Sequence, residues 1–384
     1  MQHFFSNHLS NTKRLLSACV IAISYLGCTD PVTPDFEFRE GLIFVEGFAS
    51  TTPGDSFVII NESAVEFGVY VVNSVDGATL SFENPDTGQV IPLAQQGDAY
   101  IPPLDFAAAP GERWKLNAQL SNGKRYESSP ELVLQPVSIT NLEAIYDPEI
   151  EFREIFGGKF VPGHELLVSF DDPSDTENYY YWTYRSYENL DICEKCFAGY
   201  FRDGECIDFP ASVSGIPYFD YTCESECWRI RFPESIAIYD DRFSNGKQIT
   251  NLSIGNALLY TKENMVVVAQ QWNLTPEAHE YYKVLKDILD NNSGLNAPPP
   301  AALIGNLFNP KDSEDFIFGR FTAAATTTAS IFIDRTGIEE DVLERRDPLN
   351  FEGFGSPVPP PQTITAPCDE NRFRTAIRPP GWID

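Results

Sequence analysis

The chain has 384 residues, 56 acidic against 27 basic, a formal net charge of −29 and 42% hydrophobic residues. So negative a surface repels phosphate backbones and anionic headgroups, which excludes a nucleic-acid partner, while the apolar fraction is that of a globular protein. With 28 Phe and 17 Tyr against two Met, the residue bias favours strands over helical bundles.

The first element is a short apolar run, Leu15–Tyr25, preceded by Lys13 and Arg14 and followed by Gly27-Cys28. A membrane-spanning helix needs about 20 apolar residues, so this run reads as an export signal over residues 1–27. A small residue directly before Cys is what lipoprotein signal processing requires. Cys28 is therefore expected to be the lipidated N-terminus, with residues 28–38 an acidic tether. Buried acyl methylenes, each contributing about 0.8 kcal/mol, would hold it at the membrane.

From Leu42 to Val137 short runs with alternating apolar residues follow one another: LIFVEGF, SFVIINES, EFGVYVVN, ATLSFEN, RWKLNAQL and ELVLQPV. Asp76-Gly77 and Asn122-Gly123 are dipeptides suited to tight hairpins. Residues 39–137 are expected to form an immunoglobulin-like β-sandwich, a β-barrel and a prealbumin-like variant being the alternatives. Pro136 and the following VSITNLEAIYDPE read as a hinge into a larger β-rich domain, residues 138–384. Its one strong helical signal spans about 275–291. Thr275 is placed to cap it, Pro276 occupies the first turn, and Tyr282, Leu285 and Leu289 share a face with Ile288 alongside. FIFGRFTAAATTTASIFIDR returns to strand, and the Pro- and Gly-rich tail from Asp347 is expected to be extended.

Six cysteines remain after Cys19 and Cys28 are set aside: Cys193, Cys196, Cys206, Cys223, Cys227 and Cys368. The spacings within 193–227 also suit a structural zinc or a redox dithiol. An exported chain with an even count favours disulfides, at least one of which must tie the tail to the second domain through Cys368. No metal or cofactor is expected. His164 and His279 are each followed by Glu, but Val168 and Lys283 stand where a zinc-protease helix needs its second His. No Gly-x-Ser-x-Gly elbow is present, and no enzymatic activity is expected. The acidic turn Asp171, Asp172, Asp175, Glu177 lacks the glycine of a calcium loop and reads as a solvated turn. The strand Tyr179–Tyr184 is dense in aromatics. One face must be core, and Tyr180, Trp182 and Tyr184 are candidate contacts for a sugar or partner. In GNLFNP, Gly305 permits a bend, Asn306 and Asn309 can cap it, and Leu307 and Phe308 are candidate docking residues.

Several segments in this order carry a resemblance: the lipoprotein-type N-terminus, GERWKLNAQLSNGKRYESSPELVLQPV, YYYWTYRSYE, the block from NLTPEAHEYY through PPPAALIGNLFNP to GRFTAA, and a tail with Cys368 and Trp382. Together they resemble an uncharacterised outer-membrane lipoprotein family of the Bacteroidetes, a domain of unknown function commonly encoded beside TonB-dependent receptors. Asp30, Asp35 and Glu37 after Cys28 also resemble the surface-export signal of such lipoproteins. The resemblance implies a lipid-anchored, non-enzymatic accessory subunit of a TonB-dependent β-barrel, facing the periplasm or the cell exterior. A free-standing glycan-binding protein or adhesin, and an accessory role in outer-membrane protein assembly or secretion, are the alternative expectations.

Overall fold

The computed structural model describes residues 40–210, 218–290, 303, 305–344, 347–353 and 358–383. The signal, Cys28, the tether and most of PPPAALI lie outside them. Residues 41–384 group as one compact unit, and the fold is mainly β.

The first strands are β1 (Ile43–Ser50), β2 (Phe57–Glu66), β3 (Val69–Ser74), β4 (Thr79–Glu83), β5 (Val90–Gln96), β6 (Ala99–Ile101), β7 (Arg113–Gln119), β8 (Arg125–Ser128) and β9 (Glu131–Leu132). Their alternation has one clear physical consequence: Val45, Val58, Ile60, Leu80, Phe82, Trp114 and Leu116 all turn inward to a single core. Asn122-Gly123 makes the expected hairpin, with β7 and β8 paired across it and Gly123 at φ 87°. Asp76-Gly77 does not. Strand β3 pairs with β2 and β4 with β5 and β7, so the turn is a crossover. The Tyr100 hydroxyl pins it, donating to Val75 O (2.7 Å) and accepting from Ala78 N (3.0 Å). The run EFGVYVVN, expected as one strand, instead contains a turn. Phe67 and Gly68 both take positive φ, 52° and 81°, and fold β3 back on β2 with Val65 opposite Tyr70. Gly68 is what permits this, since two consecutive left-handed positions match the twist of a tight hairpin.

Next come β10 (Ile139–Arg153), β11 (Lys159–Asp171), β12 (Tyr179–Asn189), β13 (Ile192–Phe197), β14 (Gly199–Arg202), β15 (Glu205–Asp208), β16 (Tyr218–Cys223), β17 (Trp228–Arg231), β18 (Ala237–Asp240), β19 (Gln248–Leu258) and β20 (Met265–Leu274). The segment read as a hinge is thus mostly strand. Strand β10 runs through Pro148, which sits at a register shift between Asp147 and Glu151, where a missing N–H is tolerated. Helix α1 (Pro276–Asp290) follows, capped as expected by Thr275 Oγ1, which accepts from Ala278 N at 3.3 Å. Its buried face holds Ala278, His279, Tyr281 and Tyr282, whereas Leu289 is exposed.

The last strands are β21 (Leu307–Phe308), β22 (Ile317–Ile333), β23 (Thr365–Ala366) and β24 (Arg374–Thr375). Strand β22 organises the molecule. Its first half lies parallel to β1, Ile43 opposite Ile317 through Ser50 opposite Ala324. Its second half is antiparallel to β20, Asn273 opposite Ala325 through Met265 opposite Ile333. Phe321, Ala323 and Ala325 therefore complete the first core, while Ile333 joins a second one built on Phe170, Tyr180, Trp182 and Val267.

Candidate functional site

The cysteine segment folds as a small β-module around Cys193, Cys196, Phe219, Tyr221 and Cys227. The disulfides are Cys193–Cys223, Cys196–Cys206 and Cys227–Cys368, the last tying the tail to the residue just before β17. The sulfurs of Cys193, Cys227 and Cys368 lie within 4.8 Å of one another, but all three are spent in bridges. A buried network fastens the tail as well. Glu352 accepts from both terminal nitrogens of Arg202 (2.6 and 2.7 Å) and from the Tyr221 hydroxyl.

The candidate contact face of β12 is not a surface. Tyr180, Trp182 and Tyr184 are 0%, 1% and 4% exposed and pack into the second core. Trp182 Nε1 donates to Gln271 Oε1 at 3.0 Å, and the Tyr184 hydroxyl to Asn256 O. The opposite face is covered too, because Tyr179 and Tyr181 pack with Phe48, Trp272 and the helix residues Tyr281 and Tyr282. A strand buried on both sides reads as a continuous aromatic run, which is why alternation did not separate core from surface here.

The GNLFNP loop proves to be mainly structural. Leu307 packs against the first core, while Phe308 is exposed. Asn306 Oδ1 accepts from Phe321 N (3.0 Å) and its Nδ2 donates to Phe321 O (2.8 Å), clamping the loop to β22. It also donates to Glu131, which forms a buried ion pair with Arg320 and accepts from the capping Thr275. Burial pushes the Glu131 carboxyl up, against the pull of Arg320. Asn309 caps Lys311 N.

The histidines lie apart. His164 is in β11, against the Tyr146 ring, its Nδ1 without a partner. Burial, with Arg335 adding, pushes it down to about 4. His279 is in α1 against Tyr179, also lowered by burial. The acidic turn is partly internal. Asp172 is buried and accepts from the Tyr180 hydroxyl and Gly246 N, and burial raises its carboxyl.

What is exposed and apolar was not singled out by the sequence reading. The β2–β3 hairpin presents Val65, Phe67, Val69, Tyr70 and Val72 to solvent. From Phe67 to Val75 it carries no charge, although 22% of the chain is charged. The available signal was Gly68 inside an apolar run.

Against this geometry stands one match to a known family, the domain of unknown function DUF4249, over residues 29–330. The chain belongs to this family. No curated protein sequence matches it. The DUF4249 region ends inside β22, so the tail with Cys368 lies beyond it.

Proposed function

We propose that this chain is a non-enzymatic binding subunit, anchored by lipid on Cys28 at the outer membrane, that docks onto a TonB-dependent β-barrel. The anchor rests on the Leu15–Tyr25, Gly27-Cys28 pattern, and the barrel on the family resemblance. The observation that carries the docking reading is the β2–β3 hairpin, whose exposed Phe67, Val69 and Val72 belong to no core cluster among the described residues. Soluble proteins usually guard such strands with charge or proline, and an unguarded one suits a partner's strand or apolar groove. Burial of Tyr180, Trp182 and Tyr184 takes the aromatic strand away as a glycan platform and leaves that alternative only the loops of the first strands.

The test is affinity purification of the tagged, lipidated protein from its own outer membrane in mild detergent, with Val69→Lys/Val72→Lys in parallel. Near-equal recovery of one TonB-dependent barrel, lost in the variant, is expected. Recovery of an assembly or secretion barrel would move the role to envelope biogenesis. No barrel, or one indifferent to the variant, would end the reading.

A further inference from the structure

The ends of β10, β17 and β19 and the middle of β12 enclose a cavity of about 170 Å³. Its lining grades from inside to outside. Tyr184 and Ser186 of β12 are 4% and 3% exposed, whereas the Glu234 side chain is 58% exposed. Strand β19 is bulged beside it. Leu166 pairs with Gly255 but Leu167 with Ser253, and Gly255 takes φ 137°. A Cβ at Gly255 would come within 3.3 Å of the Tyr184 ring. Bulges re-aim the side chains that follow, and the next residue, Asn256, lines the cavity.

The ionic groups around this cavity are already matched to one another. Arg153 lies between Glu151 at 2.8 Å and Glu234 at 2.7 Å. Arg231 lies between Glu188 at 3.0 Å and Glu344 at 2.8 Å, whose other oxygens meet Arg335 and Arg229. Among the described residues, these four guanidinium groups face these four carboxylates, with no charge left for a ligand to neutralise. An ionic ligand would have to break a pair and strand its partner, which is costly.

Hydrogen-bonding capacity is what remains. Glu151 accepts from Asn256 Nδ2 and Glu234 from the Tyr260 hydroxyl, both at 3.2 Å, and carboxylate oxygens keep further lone pairs. The buried Ser186 hydroxyl and the Ser235 hydroxyl at the mouth make no hydrogen bond among the described residues. A buried hydroxyl left without a partner is unfavourable. Phe232 and Tyr260 add ring surface, Tyr260 with Arg231 held over one face at 4.1 Å. A mouth of rings over fixed donors and acceptors is the general make-up of a small-molecule site.

We infer that this cavity binds one uncharged polyhydroxylated ring, of the size of a single monosaccharide. Hydroxyl groups donate and accept at once, so they can meet the serines and the spare carboxylate lone pairs without disturbing an ion pair. The volume lies below the roughly 300 Å³ at which sites for larger ligands begin, so one ring and not a chain is accommodated. The cavity is separate from the loops of the first strands, and neither the barrel nor the lipid anchor is required for it.

The experiment is titration calorimetry of the intact protein with glucose, galactose and mannose, then with the uronate and amino-sugar forms of the best of them, and with glycine. Saturable binding of one neutral sugar is expected, with a dissociation constant of about 1 mM or tighter, and about tenfold or more weaker binding of both charged forms. Ser235→Trp, at the exposed mouth, should lose about tenfold or more by occlusion, and Ser186→Ala several-fold. Both variants should keep the wild-type circular dichroism spectrum. Equal binding of the methyl glycoside would make the ligand the end of a glycan chain, and its exclusion would make it a free sugar. Absence of saturable binding by all three neutral sugars, tighter binding of a charged form or of glycine, or indifference to Ser235→Trp overturns the assignment. Failure here leaves the barrel test untouched, because that test reads the β2–β3 hairpin.

Discussion

Removing the Cys227–Cys368 bridge should cost far more stability than removing Cys196–Cys206, and the difference can be worked out from the loops they close. The first spans a sequence separation of 141 residues and the second 10. Chain-entropy bookkeeping gives about 5 kcal/mol for the longer loop and about 2.7 kcal/mol for the shorter one. The comparison is well matched, because each pair joins one fully buried sulfur, Cys227 or Cys196, to a more open one. Transfer and cavity terms therefore largely cancel between Cys227→Ala/Cys368→Ala and Cys196→Ala/Cys206→Ala. No other bridge lies inside the 141-residue loop, so its closure is not already restricted. The assay is equilibrium urea unfolding of both variants and wild type under oxidising conditions, followed by tryptophan fluorescence. Trp382 of the tail meets Trp228 edge-on at 6.0 Å and should report detachment. Equal losses, or a loss below about 2 kcal/mol for the long bridge, would refute the entropic account and place the stabilisation in native contacts of the tail.

Glu188 and Arg335 form a buried ion pair at 2.6 Å, with Arg231 on the second Glu188 oxygen. Glu188→Leu alone should cost about 3–5 kcal/mol by stranding Arg335, and adding Arg335→Met should recover most of it; additive losses in a denaturation cycle would contradict this. His164 has a folded-state value of about 4, depressed by burial from the usual 6.5. Its contribution, roughly 3 kcal/mol, is therefore complete above pH 6.5 and lost as pH falls toward 4. His164→Gln should flatten stability against pH in that window, and an unchanged slope would count against it. A Cβ at Gly305 would overlap the Gly319 carbonyl, whereas one at Gly337 meets nothing within 4 Å. Gly305→Ala should cost about 1–3 kcal/mol and Gly337→Ala less than about 0.5 kcal/mol in the same unfolding assay.

Local patterns were legible where one face of an element meets solvent. Alternation located most of the first strands, the Asn122-Gly123 hairpin and β22, and the Thr275-Pro276 signal located the start of α1. The reading failed where that contrast vanishes. Strand β12 is packed on both sides, so its aromatics suggested a platform that does not exist. Asp76-Gly77 has the chemistry of a hairpin turn, yet whether a turn joins neighbouring strands is decided by pairing elsewhere in the sheet. The cysteine count implied bridges and a tied tail, but their pairing needed three-dimensional proximity.

The double allegiance of β22 has a consequence for how the chain must acquire its shape. A core begun at Ile43 is finished only by Phe321, Ala323 and Ala325, so the earliest strands wait for a partner that lies most of the chain away. Contacts of such sequence separation close late and slowly. Everything from β10 to α1 is, topologically, a long insertion between the early strands of one sheet and a strand that completes it. A fragment ending at residue 137 would therefore emerge with the groove beside β1 vacant. Its backbone edge and apolar lining would be open to any passing strand, and aggregation, rather than an isolated soluble sandwich, is the fate that topology sets for it.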